Sequence, residues 1–383
     1  MFEWWKRLRA PRAERKLMAW HTPGRPVWPM RDSAAFAREG YARNAVAYRC
    51  VRMIAEAAAS APLKVGPADH PLARLLARPN PEQTGGELME AFYGHLQVSG
   101  NAYLEMASIG EAAPSELYVL RPDRMSVVPG ADGWPVGWEH RVGAQVRRFE
   151  RDPVTGEAPI LHLKLFHPND DWYGLSPMEA AGYAIDIHNA GGAWNKALID
   201  NAARPSGALV FTGVGGADRL SEEQFRRLKQ ELDEMHAGAA NAGRPMVLEG
   251  GLDWRPMSLT PADMDFIDAR HAAARDIALA FGVPPMLLGI PGDNTYSNYR
   301  EANLAFWRQT ALPLAMKAAR GLEAWIGDRW PEHGPAAVSV DVEAVPALAV
   351  EREALWARLG AADFLDTNEK RRLAGVEEPE RAR

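Results

Sequence analysis

Ser176-Pro177-Met178-Glu179-Ala180-Ala181-Gly182-Tyr183-Ala184-Ile185 reads as the opening of a long helix. A serine stands at the cap, a proline at the first helical position and a glutamate three residues after the cap. The next strong stop is Arg204-Pro205, so the helix is expected over 176–203. A second opening, Thr260-Pro261-Ala262-Asp263, begins a helix closed by Gly282 and Pro284, expected over 260–282. At 1.5 Å per residue the two rods are roughly 40 and 30 Å long. Between them, 204–259 holds a strand (Ala208-Leu209-Val210-Phe211), a helix opened by Ser221 and a second strand (Met246-Val247-Leu248). That inner helix has Phe225, Leu228, Leu232 and Met235 on one face. Two long helices around a small β-α-β insert predict a projecting hairpin with a compact head. Such a projection buries little core of its own, so it calls for lateral neighbours.

Working toward the N-terminus, 41–60 reads as a helix with Val46, Cys50, Val51 and Ile54 on one face, stopped by Pro62. Short helices follow over 71–81 and 85–98. From Asn101 to Phe166 short β-rich runs (Ala102-Tyr103-Leu104, Ser126-Val127-Val128, Ile160-Leu161-His162-Leu163) alternate with turn clusters such as Gly130-Ala131-Asp132-Gly133. This is a mixed α/β region with antiparallel hairpins. Toward the C-terminus, Val283-Pro284-Pro285 leads into a polar, glycine-punctuated loop over 289–298. A long helix is expected from Tyr299 to Ile326, bent by Pro313. A strand over 337–342, a helix over 348–360 and a short helix capped near Thr367 complete the chain.

Residues 1–16 carry six cations (Lys6, Arg7, Arg9, Arg12, Arg15, Lys16) against Glu3 and Glu14, a balance of +4. A solvated terminus and a basic arm touching DNA or a neighbouring subunit both fit. The chain as a whole is at −6, against the basic excess of proteins that grip nucleic acid by its phosphates. No stretch approaches the apolar length of a membrane span, and the start lacks the pattern of a secretory signal. The single cysteine, Cys50, excludes an internal disulfide and fits a reducing cytosol. Thirteen tryptophans enrich cores and interfaces alike and decide nothing. Nucleotide-binding loops, nucleophile elbows and zinc-protease motifs are absent. Gly213-Val214-Gly215-Gly216 lacks the lysine of a phosphate loop and reads as a tight turn. His167, Asp170 and Asp171 could ligate a divalent ion, but adjacent aspartates before Trp172-Tyr173-Gly174 more often build a turn. No catalytic residue, metal or cofactor is expected.

Several stretches, in this order, resemble the portal proteins of long-tailed phages of the Hong Kong ninety-seven type. They are Arg49-Cys50-Val51-Arg52-Met53-Ile54-Ala55-Glu56, Gly100-Asn101-Ala102-Tyr103 and Leu120-Arg121-Pro122-Asp123-Arg124, then Tyr173-Gly174-Leu175-Ser176-Pro177 and His188-Asn189 through Trp194-Asn195. Ala280-Phe281-Gly282-Val283-Pro284-Pro285 and Thr367-Asn368-Glu369 complete the series. The order matters more than any one of them.

The resemblance implies an α+β portal fold: a mixed α/β wing, a two-helix stem carrying a β-α-β clip, a long bent helix and a small helical crown. It assigns 1–25 to a basic arm, 26–175 and 283–335 to the wing, 176–203 and 260–282 to the stem, 204–259 to the clip and 336–383 to the crown. It also implies a ring, typically of twelve, at one capsid vertex of a phage, prophage or gene transfer particle made in a bacterial cytoplasm. Double-stranded DNA passes through the ring, driven by a terminase. The expected partners are other copies of the chain, the major capsid protein, the terminase large subunit and a head–tail adaptor, with no membrane. The loop 289–298 becomes a tunnel loop, with Asp293, Asn294, Thr295, Tyr296, Ser297 and Asn298 facing DNA. Asp263, Asp268, Lys196 and Asp200 become the stem's channel wall. The stem helices carry three cations against seven carboxylates, −4 per hairpin. A wall of that sign would let a duplex slide, because every neutralised phosphate adds affinity. Solvated acidic faces would show the same balance. Two rival readings are a metal-dependent nuclease built on His167, Asp170 and Asp171, and an adaptor-like module without a channel.

Overall fold

The computed structural model describes residues 33–108, 113–131, 133–200, 207–211, 222–223, 226–227, 230, 252–256, 266–291 and 296–375. The chain divides into two compact units, one of 1–182 with 277–383, the other of 183–276.

The larger unit is built on a helix pair. Helix α1 (Ala45–Ser60) starts where the Asn44 side chain accepts from the amides of Val46 and Ala47. Its buried face is Ala47, Cys50, Val51, Ile54, Ala55 and Ala58. After strand β1 (Leu63–Gly66) and helix α2 (Pro71–Ala77), helix α3 (Gly85–Ser99) opens on a capping box between Thr84 and Glu87. It closes on Gly100 in the left-handed conformation. Leu88, Phe92 and Leu96 of α3 and Ile54 of α1 are fully buried. Each such side chain contributes about 1.5–3 kcal/mol of apolar burial.

Two three-stranded antiparallel sheets follow. Strands β2 (Asn101–Ala107), β3 (Glu116–Leu120) and β7 (Ile160–Lys164) form one, in the order β3-β2-β7. Strands β4 (Met125–Pro129), β5 (Pro135–Val142) and β6 (Gln145–Glu150) form the other, in sequence order. Met125, Val127, Trp138 and Phe149 point one way from the second sheet and meet Tyr103 and Ile160 of the first in one apolar cluster. This alternation is what sheets with one dry face require.

The smaller unit contains helix α4 (Gly182–Asp200), strands β8 (Gly207–Phe211) and β9 (Leu252–Pro256) and most of helix α5 (Phe266–Phe281). β8 and β9 pair antiparallel, Leu209 opposite Trp254. The chain returns to the larger unit through helices α6 (Tyr296–Phe306) and α7 (Leu312–Ile326) and strand β10 (Ala337–Val340). Helices α8 (Ala349–Ala361) and α9 (Thr367–Leu373) end it. Among the described residues no helix is long and apolar enough to cross a membrane.

The α+β class is borne out, and most elements stand where the periodicity puts them. Four differ. The helix opened by Ser176 breaks after one turn (Pro177–Ala180) before α4 begins, and its described part ends at Asp200. The helix expected from Tyr299 starts at Tyr296, and its bend is a π-helical stretch, Trp307–Ala311. Pro313 removes the bond its amide would make and its ring crowds the carbonyl four residues back, which the wider π turn relieves. The strand that pairs with β8 is Leu252–Pro256, with Trp254 as its large residue; Met246-Val247-Leu248 lies outside the described residues. Finally, β10 pairs with β1, so the 337–340 strand belongs to the body built from the N-terminal half and not to a separate C-terminal crown. Positions 222, 223, 226, 227 and 230 of the inner helix are helical, and all are polar and exposed, as the apolar face assigned to 225, 228 and 232 requires.

Candidate functional site

Two of the stretches singled out in the sequence meet at the root of α4. Gly100-Asn101 ends α3, and Gly174-Leu175-Ser176-Pro177 precedes α4. The Leu165 amide donates to the Gly100 carbonyl at 2.8 Å. Asn101 Oδ1 accepts from the Gly174 amide at 2.8 Å, and its Nδ2 donates to the Ser99 carbonyl at 2.8 Å. Ser176 caps Met178 at 2.9 Å and returns its hydroxyl proton to the carbonyls of Gln97 and Val98. The backbones approach so closely that a Cβ on Gly174 would overlap the Gly100 carbonyl oxygen and come within 2.6 Å of the Leu165 nitrogen. The serine read as a helix cap is therefore also a bolt between two helices.

His162 closes this joint. It stacks on Tyr103 at 4.2 Å, accepts from Trp138 Nε1 through Nδ1 and faces Asn101 Oδ1 through Nε2 at 3.0 Å. Asn101 Oδ1 only accepts, so the proton sits on Nε2. Burial, with Lys164 nearby, pushes the imidazole down to about 3, and it stays neutral.

A second joint lies at the end of α5. Gly282 adopts a left-handed φ of 66°, and the Val283 amide reaches back to the Ala278 carbonyl at 2.9 Å. Thr310, in the π turn, donates its hydroxyl to the Gly282 carbonyl at 2.6 Å. A short 3-10 turn (Pro285–Leu288) with Leu287 and Ile290 buried then fixes the root of the loop. Of the expected tunnel residues, Tyr296, Ser297 and Asn298 belong to the first turn of α6 rather than to a loop. Asn298, Tyr299, Arg300 and Glu301 are exposed there. Asp293, Asn294 and Thr295 lie outside the described residues.

Of the expected channel wall, Lys196 on α4 and Asp268 on α5 are exposed, Asp200 is the last residue of α4, and Asp263 lies outside the described residues. Arg270, Arg275 and Asp276 are exposed as well. Burial and the nearby charge of Arg270 lower the His188 imidazole below its ordinary value, so α4 and α5 run within electrostatic reach of each other. Exposed apolar side chains also stand on both helices: Tyr183 and Ile187 on α4, and Ile267 and Leu279, 67% and 78% exposed, on α5.

The His167/Asp170/Asp171 cluster resolves as a turn. Asp170 Oδ1 accepts from the amides of Trp172 and Tyr173 at 2.8 and 2.9 Å, and His167 Nδ1 accepts from Asn169 at 3.0 Å. Lys164 donates to the Asp171 carbonyl. Asp170 Oδ1 and His167 Nδ1 are thus occupied by backbone amides, and among the described residues no group of His, Cys, Asp and Glu could hold a metal ion. Sequence reasoning missed the roles of Asn101, His162 and Thr310. Their partners lie 61 residues apart for Asn101 and His162, and 28 for Thr310 and Gly282, beyond any local pattern.

The phage portal protein family matches residues 45–375. A protein of Rickettsia bellii is 41% identical over 345 residues, covering 88% of each chain. The portal protein of Enterobacteria phage HK97 is 27% identical, covering 84% of this chain and 77% of that one. Among solved structures, a chain in the neck of a native gene transfer agent particle, computed with C12 symmetry, is 52% identical. It superposes with a TM-score of 0.72, covering 93% of this chain and 96% of that one.

Proposed function

Because this chain belongs to the phage portal protein family, we propose that it forms a closed ring, of twelve subunits, at one vertex of a phage-like particle. Double-stranded DNA enters and leaves through its axis. The observation that carries the ring is the likeness to the neck chain solved with C12 symmetry, at 52% identity over nearly the whole length. The exposed Tyr183, Ile187, Ile267 and Leu279 supply apolar surface for the contacts between copies. The larger unit supplies the wing and, in α8 with α9, a small crown beginning after Val340; α4 and α5 are the stem and the β8–β9 region the clip.

In this reading the protein is a conduit and carries no catalytic chemistry. The terminase large subunit and then a head–tail adaptor dock on the clip, and the capsid protein holds the wing. Asp263, Asp268, Lys196 and Asp200 face the channel, with 289–298 at its narrowest point. A net-acidic wall repels phosphate, so the duplex slides without being held. Native mass spectrometry and top-view electron microscopy of the purified chain test this. A twelve-fold ring with an axial hole wide enough for a duplex is expected. A monomer or dimer, at concentrations where the related neck chain assembles, refutes it.

A further inference from the structure

Away from both joints, the larger unit carries a cleft of about 590 Å³ beside the end of α7. Its floor is apolar: Trp330 and Pro114 are buried, and Met106 and Ala113 are half-buried. Its rim is acidic. Asp328 and Glu332 are exposed, and neither makes an ion pair among the described residues. The one rim cation, Arg329, is already engaged by Glu157. Among the described residues the rim therefore holds three carboxylates against one arginine and the exposed His333, over a floor suited to aromatic and aliphatic side chains. An acidic rim repels nucleic acid. It calls for a cationic peptide with large apolar side chains.

The chain itself contains one. Residues 1–32, which precede the described fold, carry eight cations against three carboxylates, together with Trp4, Trp5, Trp20 and Trp28. Thirty-two residues at about 3.3 Å each span up to about 100 Å, so reach is no obstacle. We propose that this cleft is the docking site of the chain's own basic N-terminal segment. The tryptophans of that segment cover the apolar floor, and its lysines and arginines pair with Asp328 and Glu332. Docking there would keep the segment's cations away from the phosphates of the DNA that the ring must let slide. The mode is peptide recognition by charge and apolar anchors, and its strength would fall with salt.

The test uses the full chain as it assembles. A water-soluble carbodiimide joins a lysine amine to a carboxylate in direct contact, with loss of water and no spacer. Lys64 and Asp341, 3.1 Å apart, serve as the internal control. Mass spectrometry of the digested product is expected to find Lys6 or Lys16 joined to Asp328 or Glu332. The Asp328→Asn/Glu332→Gln double variant, which lacks the reacting carboxylates, is the control on the assignment: those junctions must vanish and the Lys64–Asp341 junction remain. Both changes are on exposed side chains, so folding is not at stake. Junctions from Lys6 and Lys16 only to other carboxylates, or none while the control forms, overturn the proposal. So does a DNA-bound arm, shown by protection of Lys6 and Lys16 from a separate amine-acylating reagent only when duplex is present.

Discussion

Gly174 to alanine is the perturbation most directly set by the geometry. The new methyl carbon would overlap the Gly100 carbonyl oxygen and lie 2.6 and 2.8 Å from the nitrogen and oxygen of Leu165. All three are backbone atoms, so no side chain can rotate aside. The 165–176 loop must lift from the end of α3. It then loses the Leu165–Gly100 bond, the Gly174–Asn101 bond and the weaker 3.4 Å contact from Asn101 Nδ2 to the Gly174 carbonyl. Each bond is worth about 1 kcal/mol net, and each buried group left unpaired costs a further 1–3 kcal/mol. The expected loss is about 3–5 kcal/mol, large against the 5–15 kcal/mol of a typical domain. Urea unfolding of the unassembled subunit measures it through the midpoint at constant slope. Gly94→Ala is the matched control: its Cβ meets nothing within 4 Å inside α3, and it should stabilise by about 0.5–1 kcal/mol. A loss under about 1 kcal/mol for Gly174→Ala, with Gly94→Ala behaving as stated, would refute the reasoning that this joint is a rigid backbone contact.

Three further outcomes follow from named groups. His162 is neutral in the fold down to about pH 3, whereas in the unfolded chain it takes up a proton near 6.5. Its contribution is whole above pH 6.5 and is lost as pH falls, at about 1.4 kcal/mol per unit. The wild type should therefore lose about 2 kcal/mol relative to His162→Gln between pH 6.5 and 5, read from urea midpoints; parallel curves would contradict the assignment. Cys50 is fully buried in α1 and its thiol is pushed up to about 12, so alkylation should follow the unfolding rate and not thiol reagent concentration. With Asp268 on the proposed channel wall, Asp268→Lys on α5 should turn a sliding wall into a gripping one. Duplex binding by the assembled ring should then gain about 0.9 in the slope of log affinity against log salt for each phosphate neutralised, and an unchanged slope would remove Asp268 from the channel.

Local chemistry made the helices legible. Ser176 and Gly282 sit at helix ends because a side chain, or the lack of one, satisfies the orphan groups there, and sequence shows that directly; the Asn44 cap, inside the helix expected from 41, does not stand out in the same way. Heptad-like spacing exposed the buried face of α1 for the same reason. Strand partners were not legible. Nothing in Leu63-Lys64-Val65-Gly66 says that it will pair with residues more than 270 positions later, yet that pairing ties the two ends of the larger unit together. The second strand of the small unit was missed because Leu252-Asp253-Trp254-Arg255-Pro256 mixes charge with apolar residues and ends in proline. Among the described residues it pairs on one side only, with β8, and an edge position tolerates both.

The stretches that carried the resemblance explain why function was easier to read than any contact with DNA. Gly100-Asn101 and Gly174-Ser176 bolt the root of α4, and Gly282 with Thr310 fixes the end of α5. None of these groups needs to touch nucleic acid. A closed ring is specified by the angle at which each copy meets the next. Tight glycine contacts and a neutral buried histidine leave the backbone at these joints one packing solution. The channel wall has the opposite requirement. It must present charge of one sign and no particular shape, which many side chains satisfy. Hence Lys196 and Asp268, proposed for that wall, show only a charge balance in the sequence, while Asn101, Gly174 and Ser176 of the joint stand in the stretches that carry the resemblance.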